Sequence, residues 1–267
     1  MLLREVEYAR PASVDDAIRL LSGHPNARPL AGGQTLINVM KARAAHPDVL
    51  VDLNGIEELR GIRTTSEGGL EVGAMTTCTD VVQSEDVNDF RPLFAHVTST
   101  IADVQVRNRG TVGGNVCSND PTNHLPPLMV TMGAQMTIAG ENGERTVPAE
   151  EFFLGVYLTA VAPGELLTKI TIPPGRADGF AAVTVGREGT CVVNAAATAN
   201  DGQARVVVGC VSAVPVLLTT AADADAAVAA VREAGLDPPS DVHGSADYRR
   251  HLAEVLARRA VEQATGA

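Results

Sequence analysis

Two stretches of this chain could hold a phosphorylated ligand with main chain alone. One is AGGQTL, residues 31–36, and the other is RNRGTVGGN, residues 107–115. Glycine tolerates positive φ and lets backbone approach a ligand closely. A glycine turn that opens a helix also aims several N–H groups at one point, where the helix N-terminus favours an anion without any lysine. In the first stretch the donors would lie at Gly32 and Gly33, ahead of a helix opening near Thr35. In the second, TVGGN offers the same device with Asn115 as a side-chain donor. A lone Gly-Gly pair is most often a structural tight turn. Two in one acidic chain point to a shared ligand of the dinucleotide class, whose pyrophosphate needs about this many donors.

Other chemistries find no support. The Rossmann fingerprint G-x-G-x-x-G, the P-loop, H-E-x-x-H and G-x-S-x-G are all absent. The six histidines (24, 46, 96, 124, 243 and 251) are spread out, and surface or capping roles suit most of them. The four cysteines, Cys78, Cys117, Cys191 and Cys210, come no closer than 19 positions. Metal and iron–sulfur sites usually draw on close pairs, because a short turn aims both thiolates at one ion. No metal ligand is therefore assigned, and the cysteines read as small buried hydrophobes in a reducing compartment. No catalytic acid–base pair is assigned either.

The chain has 267 residues, 45% hydrophobic and 20% charged, a composition able to build a core in about two domains. No apolar run approaches the roughly 20 residues that span a bilayer. The start, MLLREVEYARP, lacks a basic segment followed by an apolar one, so a cytoplasmic protein is expected. A net charge of −11 argues against nucleic acid. The short basic clusters Arg249–Arg250 and Arg258–Arg259 are expected on a solvated or partner-facing side of a terminal helix.

Elements must position the two glycine stretches. YARPASVDDAIRLLSGHP reads as strand, proline break and helix, with Ser13 as N-cap and Asp15 and Asp16 in the first turn. ARPLA, GGQT, LINVMKARA and DVLVDL form a strand, a tight turn, a helix and a second strand. GLEVGAMTT is a short strand, and TDVVQSEDVNDFRPLFAHVTST is helical with a break at Pro92. LPPLMVTMGAQMTIAGENGERTVPAEEFF gives a helix and then a hairpin turned at Glu141-Asn142-Gly143. ELLTKITIP is another strand, and Pro173-Pro174-Gly175 marks a domain boundary. Beyond it GFAAVTV and ARVVVGCVSAVPVLL are β-rich, with CVVNAAATAN between them. Two alanine-rich helices follow, so the last third is expected to be a compact α+β domain with a small antiparallel sheet.

AGGQTL, VRNRGTVGGN, the NDP after it and GELLTKITIP occur in the order found in the FAD-binding subunit of molybdenum hydroxylases. The C-terminal SADYRRHLAEVLARRAV is also similar to the end of that subunit, so the resemblance covers nearly the whole chain. The family includes the medium subunit of carbon monoxide dehydrogenase and the FAD-binding part of xanthine dehydrogenase. The resemblance implies an α+β fold: a two-lobed FAD-binding domain of the vanillyl-alcohol-oxidase (PCMH) type, then the small α+β domain. The bounds are 1–174, with lobes of about 1–57 and 58–174, and 175–267.

It further implies noncovalent FAD, with the pyrophosphate on both glycine turns. Carried over by position, the contacts are Ala31, Gly32, Gly33, Gln34, Thr35 and Leu36, then Thr111, Val112, Gly113, Gly114 and Asn115. Ala102 and Asp103 lie on the preceding turn, and Leu167 matches a position touching the flavin or adenine end. Where the family commonly has an acidic residue this chain has His124. Either His124 donates a neutral hydrogen bond in its place or it tunes the flavin through a pH-dependent charge. A basic run common just past the domain boundary is reduced here to Arg187, so no cofactor contact is assigned to it.

The resemblance implies an electron-transfer subunit. It would accept electrons from the [2Fe–2S] clusters of an iron–sulfur small subunit, beside a molybdopterin large subunit, and pass them to an external acceptor. Family resemblance also implies a dimer of three-chain units. The alternative is a stand-alone FAD-dependent oxidoreductase acting directly on a small molecule. A non-enzymatic FAD-binding scaffold is the third reading.

Overall fold

A computed structural model describes residues 3–175, 177–186 and 189–266. Three sheets follow one another along the chain, each with its own apolar core.

The first is parallel, in the order β1 (Glu7–Ala9), β3 (Val49–Asp52), β2 (Ala27–Leu30). Parallel neighbours need crossovers, and α1 (Val14–Gly23) and α2 (Leu36–Lys41) supply them. Ser13 caps α1 by accepting from the Asp16 N–H, as its sequence implies. Ala17, Ile18 and Leu21 turn inward over β3, whose four residues are all buried. Two short 3-10 turns, 53–55 and 57–59, lead onward.

The second sheet is antiparallel: β4 (Ile62–Thr64), β5 (Leu70–Gly73), β10 (Leu166–Ile172), β6 (Gln135–Gly140) and β7 (Gly143–Pro148), in that order. β6 and β7 are joined by the tight turn read from ENG. The helical stretch expected after Thr77 is three short helices, α3 (Cys78–Gln83), α4 (Glu85–Phe90) and α5 (Pro92–Ser99). Thr77 and Ser84 each cap a new start, so the chain re-initiates rather than running through. Then come α6 (Val104–Arg107), α7 (Val112–Ser118) and α8 (Leu125–Thr131). The remaining pieces are α9 (Ala149–Phe152) and the small hairpin β8 (Phe153–Gly155) with β9 (Leu158–Thr159).

The third sheet is a four-stranded antiparallel meander: β11 (Asp178–Thr184), β12 (Cys191–Asn200), β13 (Gln203–Gly209), β14 (Val216–Ala221). α10 (Ala224–Glu233) and α11 (Ala246–Thr265) cover one face. CVVNAAATAN is a full ten-residue strand with both faces buried. Its alternation explains the alanines. Val193, Ala195 and Ala197 join the core under α11, while Ala196 joins the core of the second sheet. Small side chains let α11 come close, and a Cβ on Gly179 would lie 1.9 Å from the Ala260 carbonyl oxygen.

An ion pair ties this last sheet to the helices before it. Arg91 and Asp178 are each 2% exposed, and Arg91 Nη1 reaches both carboxylate oxygens at 2.8 and 2.7 Å. Arg91 Nε also donates to Pro173 O, and the Thr198 hydroxyl donates to Asp178. A buried pair so fully hydrogen-bonded fixes orientation; removing one partner would strand a charge. The terminal basic cluster departs from expectation. Arg249 is 4% exposed and donates to Val192 O, Cys210 O and Asp241, so only its neighbours on α11 meet solvent.

No helix among the described residues is long and apolar enough to cross a membrane, and no cluster of His, Cys, Asp and Glu among them could hold a metal ion.

Candidate cofactor site

The first glycine stretch leaves β2 and enters α2. Gly33 takes φ +73°, where a side chain is strained, while Gly32 is needed for space. A Cβ on Gly32 would lie 2.1 Å from Arg109 O and 2.8 Å from Gly110 Cα. The two glycine stretches therefore touch backbone to backbone, although 77 positions separate Gly32 from Arg109. Ala31 Cβ would also lie 3.7 Å from a Cβ on Gly114.

The turn is held from behind by a network the motif does not announce. Asn54 Nδ2 donates to Ala31 O at 3.0 Å and to Asp52 Oδ1 at 2.6 Å. Asp52 also accepts from the Asn54 N–H and from the Tyr8 hydroxyl. Burial would raise the Asp52 carboxyl, but the Tyr8 and Asn54 hydrogen bonds outweigh it and hold the group below its ordinary value. Asn54 thus holds the Ala31 carbonyl at the back of the turn. Among the described residues, none of the N–H groups of Gly32, Gly33, Gln34, Thr35 and Leu36 donates in a turn, loop or cap bond. Thr35 sits at the N-cap with no side-chain cap, so its hydroxyl is spare as well.

The second stretch corrects the expectation of a like device. Val112 N donates to Thr76 O, Gly113 N to Ala74 O, Gly114 N to the Thr111 hydroxyl and Asn115 N to Thr111 O. Its main-chain donors are spent on the protein, because Thr111 is a working N-cap of α7 and Gly113 rests on β5. What remains for a ligand is closeness at Gly114, where a Cβ would meet only the Thr111 Oγ1 (2.9 Å) and Ala31 Cβ (3.7 Å). Asn115 adds a side-chain Oδ1 that is buried without a hydrogen-bond partner.

Ala102 and Asp103 are drawn toward this loop by Arg107, whose Nη1 donates to Ile101 O and Ala102 O at 2.8 and 2.7 Å. Ala102 has φ +42°, and Asp103 caps α6. Leu167 is a buried core residue of β10, one strand beyond the β5 end that carries Gly113. His124 faces elsewhere. Its Nδ1 lies 3.2 Å from Asn194 Nδ2, and Phe180 meets its ring edge-on with centroids 5.3 Å apart. The ring is thus occupied by the third sheet. Arg187 lies outside the described residues. Tyr8, Asp52, Asn54 and Arg107 went unremarked in the sequence. Asp52 and Asn54 lie at the polar end of β3, in VDLN, whereas Tyr8 and Arg107 come from distant segments.

These features fit a dinucleotide. A run of N–H groups without a protein acceptor, a glycine whose Cβ would clash and a point of close approach meet at one joint, as a pyrophosphate requires, while the orphaned Asn115 Oδ1 is an acceptor that suits a donor on the ligand rather than its phosphates.

Comparison with known proteins agrees. Residues 4–175 match the family described as FAD binding domain in molybdopterin dehydrogenase, and residues 175–264 match the CO dehydrogenase flavoprotein C-terminal domain. The carbon monoxide dehydrogenase medium chain of Afipia carboxidovorans is 40% identical over 99% of this chain and 98% of its own. The nicotine 6-hydroxylase medium subunit of Paenarthrobacter nicotinovorans is 33% identical over 99% of both chains. Among solved structures, Cu,Mo-CO dehydrogenase in its cyanide-inactivated form superposes with TM-score 0.92 at 38% identity, covering 100% of this chain and 99% of that one. Quinoline 2-oxidoreductase from Pseudomonas putida 86 gives 0.91 at 34% identity, with the same coverage. This chain belongs to the family of FAD-binding domains of molybdopterin dehydrogenases, with FAD as its cofactor and the two-lobed domain followed by the CO dehydrogenase flavoprotein C-terminal domain as its fold.

Proposed function

We propose that this chain is the FAD-carrying electron-transfer subunit of a molybdenum hydroxylase. It works beside an iron–sulfur small subunit and a molybdopterin large subunit, taking electrons from [2Fe–2S] clusters and passing them to an external acceptor. The observation that carries this reading is the backbone contact of Gly32 with Arg109 and Gly110, which makes one cradle from two distant motifs. Medium chains and subunits that match it over nearly their whole length support the assignment to a multi-chain enzyme.

Bound FAD would supply the redox chemistry. The chain's residues hold and orient it. The proposed pyrophosphate contacts are Ala31, Gly32, Gly33, Gln34, Thr35 and Leu36 on the donor-rich side, and Thr111, Val112, Gly113, Gly114 and Asn115 on the close-packed side. Tyr8, Asp52 and Asn54 keep the first turn's carbonyl averted, so its N–H groups need no reorganisation when an anion arrives. Noncovalent attachment fits a joint built from backbone donors. Ala102, Asp103 and Leu167 are proposed to flank the cofactor, while His124, whose ring is engaged by Asn194 and Phe180 of the third sheet, is given no direct contact with it.

Purification of the tagged chain from its native cells tests this reading. A large complex with molybdenum, about four irons and one FAD per copy is the expected result. A yellow chain without metals or partners, turning over a small molecule by itself, would establish the stand-alone flavoenzyme instead.

A further inference from the structure

The hairpin β8–β9 exposes side chains that a folded chain ordinarily buries. Among the described residues, four of the nine exposed large hydrophobics, Leu154, Val156, Tyr157 and Leu158, fall within five consecutive positions, each between 50% and 62% exposed. Phe152 and Phe153, just before them, are buried in the core. Apolar surface of this density marks a place of interaction.

The tip is also built rigidly. Gly155 pairs with Leu158 across the turn. Asn119, buried and left-handed at φ +39°, donates from Nδ2 to Gly155 O at 2.6 Å and to Leu158 O at 3.2 Å. Its own carbonyl accepts from the Tyr157 N–H at 3.1 Å. Tyr157 takes φ +55°, which is unfavourable for a bulky residue, and its hydroxyl donates to Asp120. A tip that is apolar, strained and tied at so many points is held in place for something it meets.

What it meets follows from where it is tied. Asn119 is the C-cap of α7, and Thr111, at the cofactor joint, is the N-cap of the same helix. At 7 residues α7 is about 10 Å long. Val112, Gly113 and Val116 face the core, so Gly114, Asn115 and Ser118 share the half-open side. That side runs from the close approach at Gly114, past the unpartnered Asn115 Oδ1, to the hairpin. One half of the cofactor has the same order of parts. Beyond its pyrophosphate, FAD continues into the ribityl chain, whose hydroxyls are donors, and then into the flat isoalloxazine ring, which stacks on aromatic side chains. The adenosine half places a single ribose between phosphate and base, a shorter reach than α7. The chain has no tryptophan and three tyrosines. Tyr8 lies on Asp52 behind the first turn and Tyr248 lies on α11, which leaves Tyr157 at the end of this track.

We propose that Tyr157, presented by the β8–β9 tip, is an aromatic contact of the FAD isoalloxazine ring, with Leu154, Val156 and Leu158 as its apolar surround. The proposal rests on the pyrophosphate placement at Gly114 given above. Asn119 then acts as a positioning residue, because it fixes the tip relative to the helix that starts at the joint.

The test uses the full chain with whatever chains accompany it, stripped of FAD and reloaded with a photoreactive analogue. One analogue carries an azide on the flavin ring and the other carries it on the adenine. After illumination, peptide maps should place the flavin label within residues 153–159 and the adenine label outside them. A flavin label that misses the hairpin, or an adenine label on it, would overturn the proposal with no variant needed. Tyr157→Gly keeps the left-handed backbone, which glycine favours, and removes the ring. It should hold FAD several-fold more weakly, and Tyr157→Phe should restore the affinity. An equally tight hold in Tyr157→Gly would overturn the contact, as would a Tyr157→Phe variant no better than Tyr157→Gly, which would assign the effect to the hydroxyl on Asp120. Gly114→Val separates the two readings. If it releases FAD while the wild-type flavin label misses the hairpin, the Tyr157 contact fails and the pyrophosphate site stands. If it keeps FAD while the label lands on the hairpin, the pyrophosphate site fails and the Tyr157 contact stands.

Discussion

The two glycine motifs look alike in sequence and differ in what they do with their hydrogen bonds. At 31–36 the main-chain donors stay open, and the protein spends Asp52, Asn54 and Tyr8 on holding the carbonyl side. At 111–115 every main-chain donor from Val112 to Asn115 is taken by the protein, and the glycines serve packing and approach. Donors and closeness are separable requirements for an anion site, and here two segments each supply one. The contact of Gly32 with Arg109 and Gly110 joins them.

The largest test falls on the packed motif. A Cβ on Gly113 would meet the Ala74 Cβ and carbonyl oxygen at 2.6 Å each, and backbone cannot give way as a flexible side chain can. Gly113→Val should therefore destabilise the apoprotein by about 3 kcal/mol, as overpacking does. A urea melt without FAD would show it. An unchanged midpoint would mean that Gly113 serves the ligand and that the contrast between the motifs is wrong.

Next comes Gly114, one residue on, where only the Thr111 hydroxyl and the Ala31 methyl stand in the way. Gly114→Val should fold, yet hold FAD at least tenfold more weakly, a loss of about 1.4 kcal/mol. Flavin retained through desalting and a fluorescence titration would measure it. A folded variant with full flavin content would falsify the assignment of this glycine to the cofactor. Adjacent glycines giving opposite readouts would be the strongest support for dividing fold from ligand within one motif.

Much of this was legible in the sequence, because local rules decide it. The Ser13 cap, the ENG hairpin turn and the strand–turn–helix–strand order of the first unit rest on interactions within a few residues. The meeting of AGGQTL with RNRG was legible only through the resemblance, since no local rule brings Gly32 to Arg109. The strand CVVNAAATAN was harder still. Alanine carries little strand preference, and the reason for it lies in two partners, α11 and α8, that the sequence places far away. The Arg91–Asp178 pair and the burial of Arg249 were invisible for the same reason: a charge is read as solvated until its partner is known. Spacing alone also hid the cysteines, for Cys191 and Cys210 are 19 positions apart yet share one asparagine.

A finer test reaches the first motif through its support. Asn54→Ala removes the donor to Ala31 O and two of the hydrogen bonds at Asp52 if the main chain relaxes, one if it does not. The expected cost is about 1 kcal/mol of stability, together with a several-fold rise in the FAD Kd. The same loss of stability with an unchanged Kd would show that the open donors keep their aim without the network.

The smallest effect is in acid, and its sign follows from Asp52. The carboxyl is held below its ordinary 3.8 in the folded chain. Its contribution to stability is therefore complete above that value and is lost as pH falls through the folded-state pKa. Above pH 5 the wild type should show no acid slope from this group. Below pH 4, protonation releases the Tyr8 and Asn54 hydrogen bonds, and FAD should dissociate before the third sheet, which does not depend on Asp52, begins to melt. Asp52→Asn keeps the shape but cannot accept as a carboxylate does, so it should weaken FAD binding at neutral pH and flatten the acid limb. If wild type and variant released FAD along the same acid curve, the orientation of the first turn would have to come from the Gly32 joint alone. The two motifs would then be one mechanical unit rather than two with separate tasks.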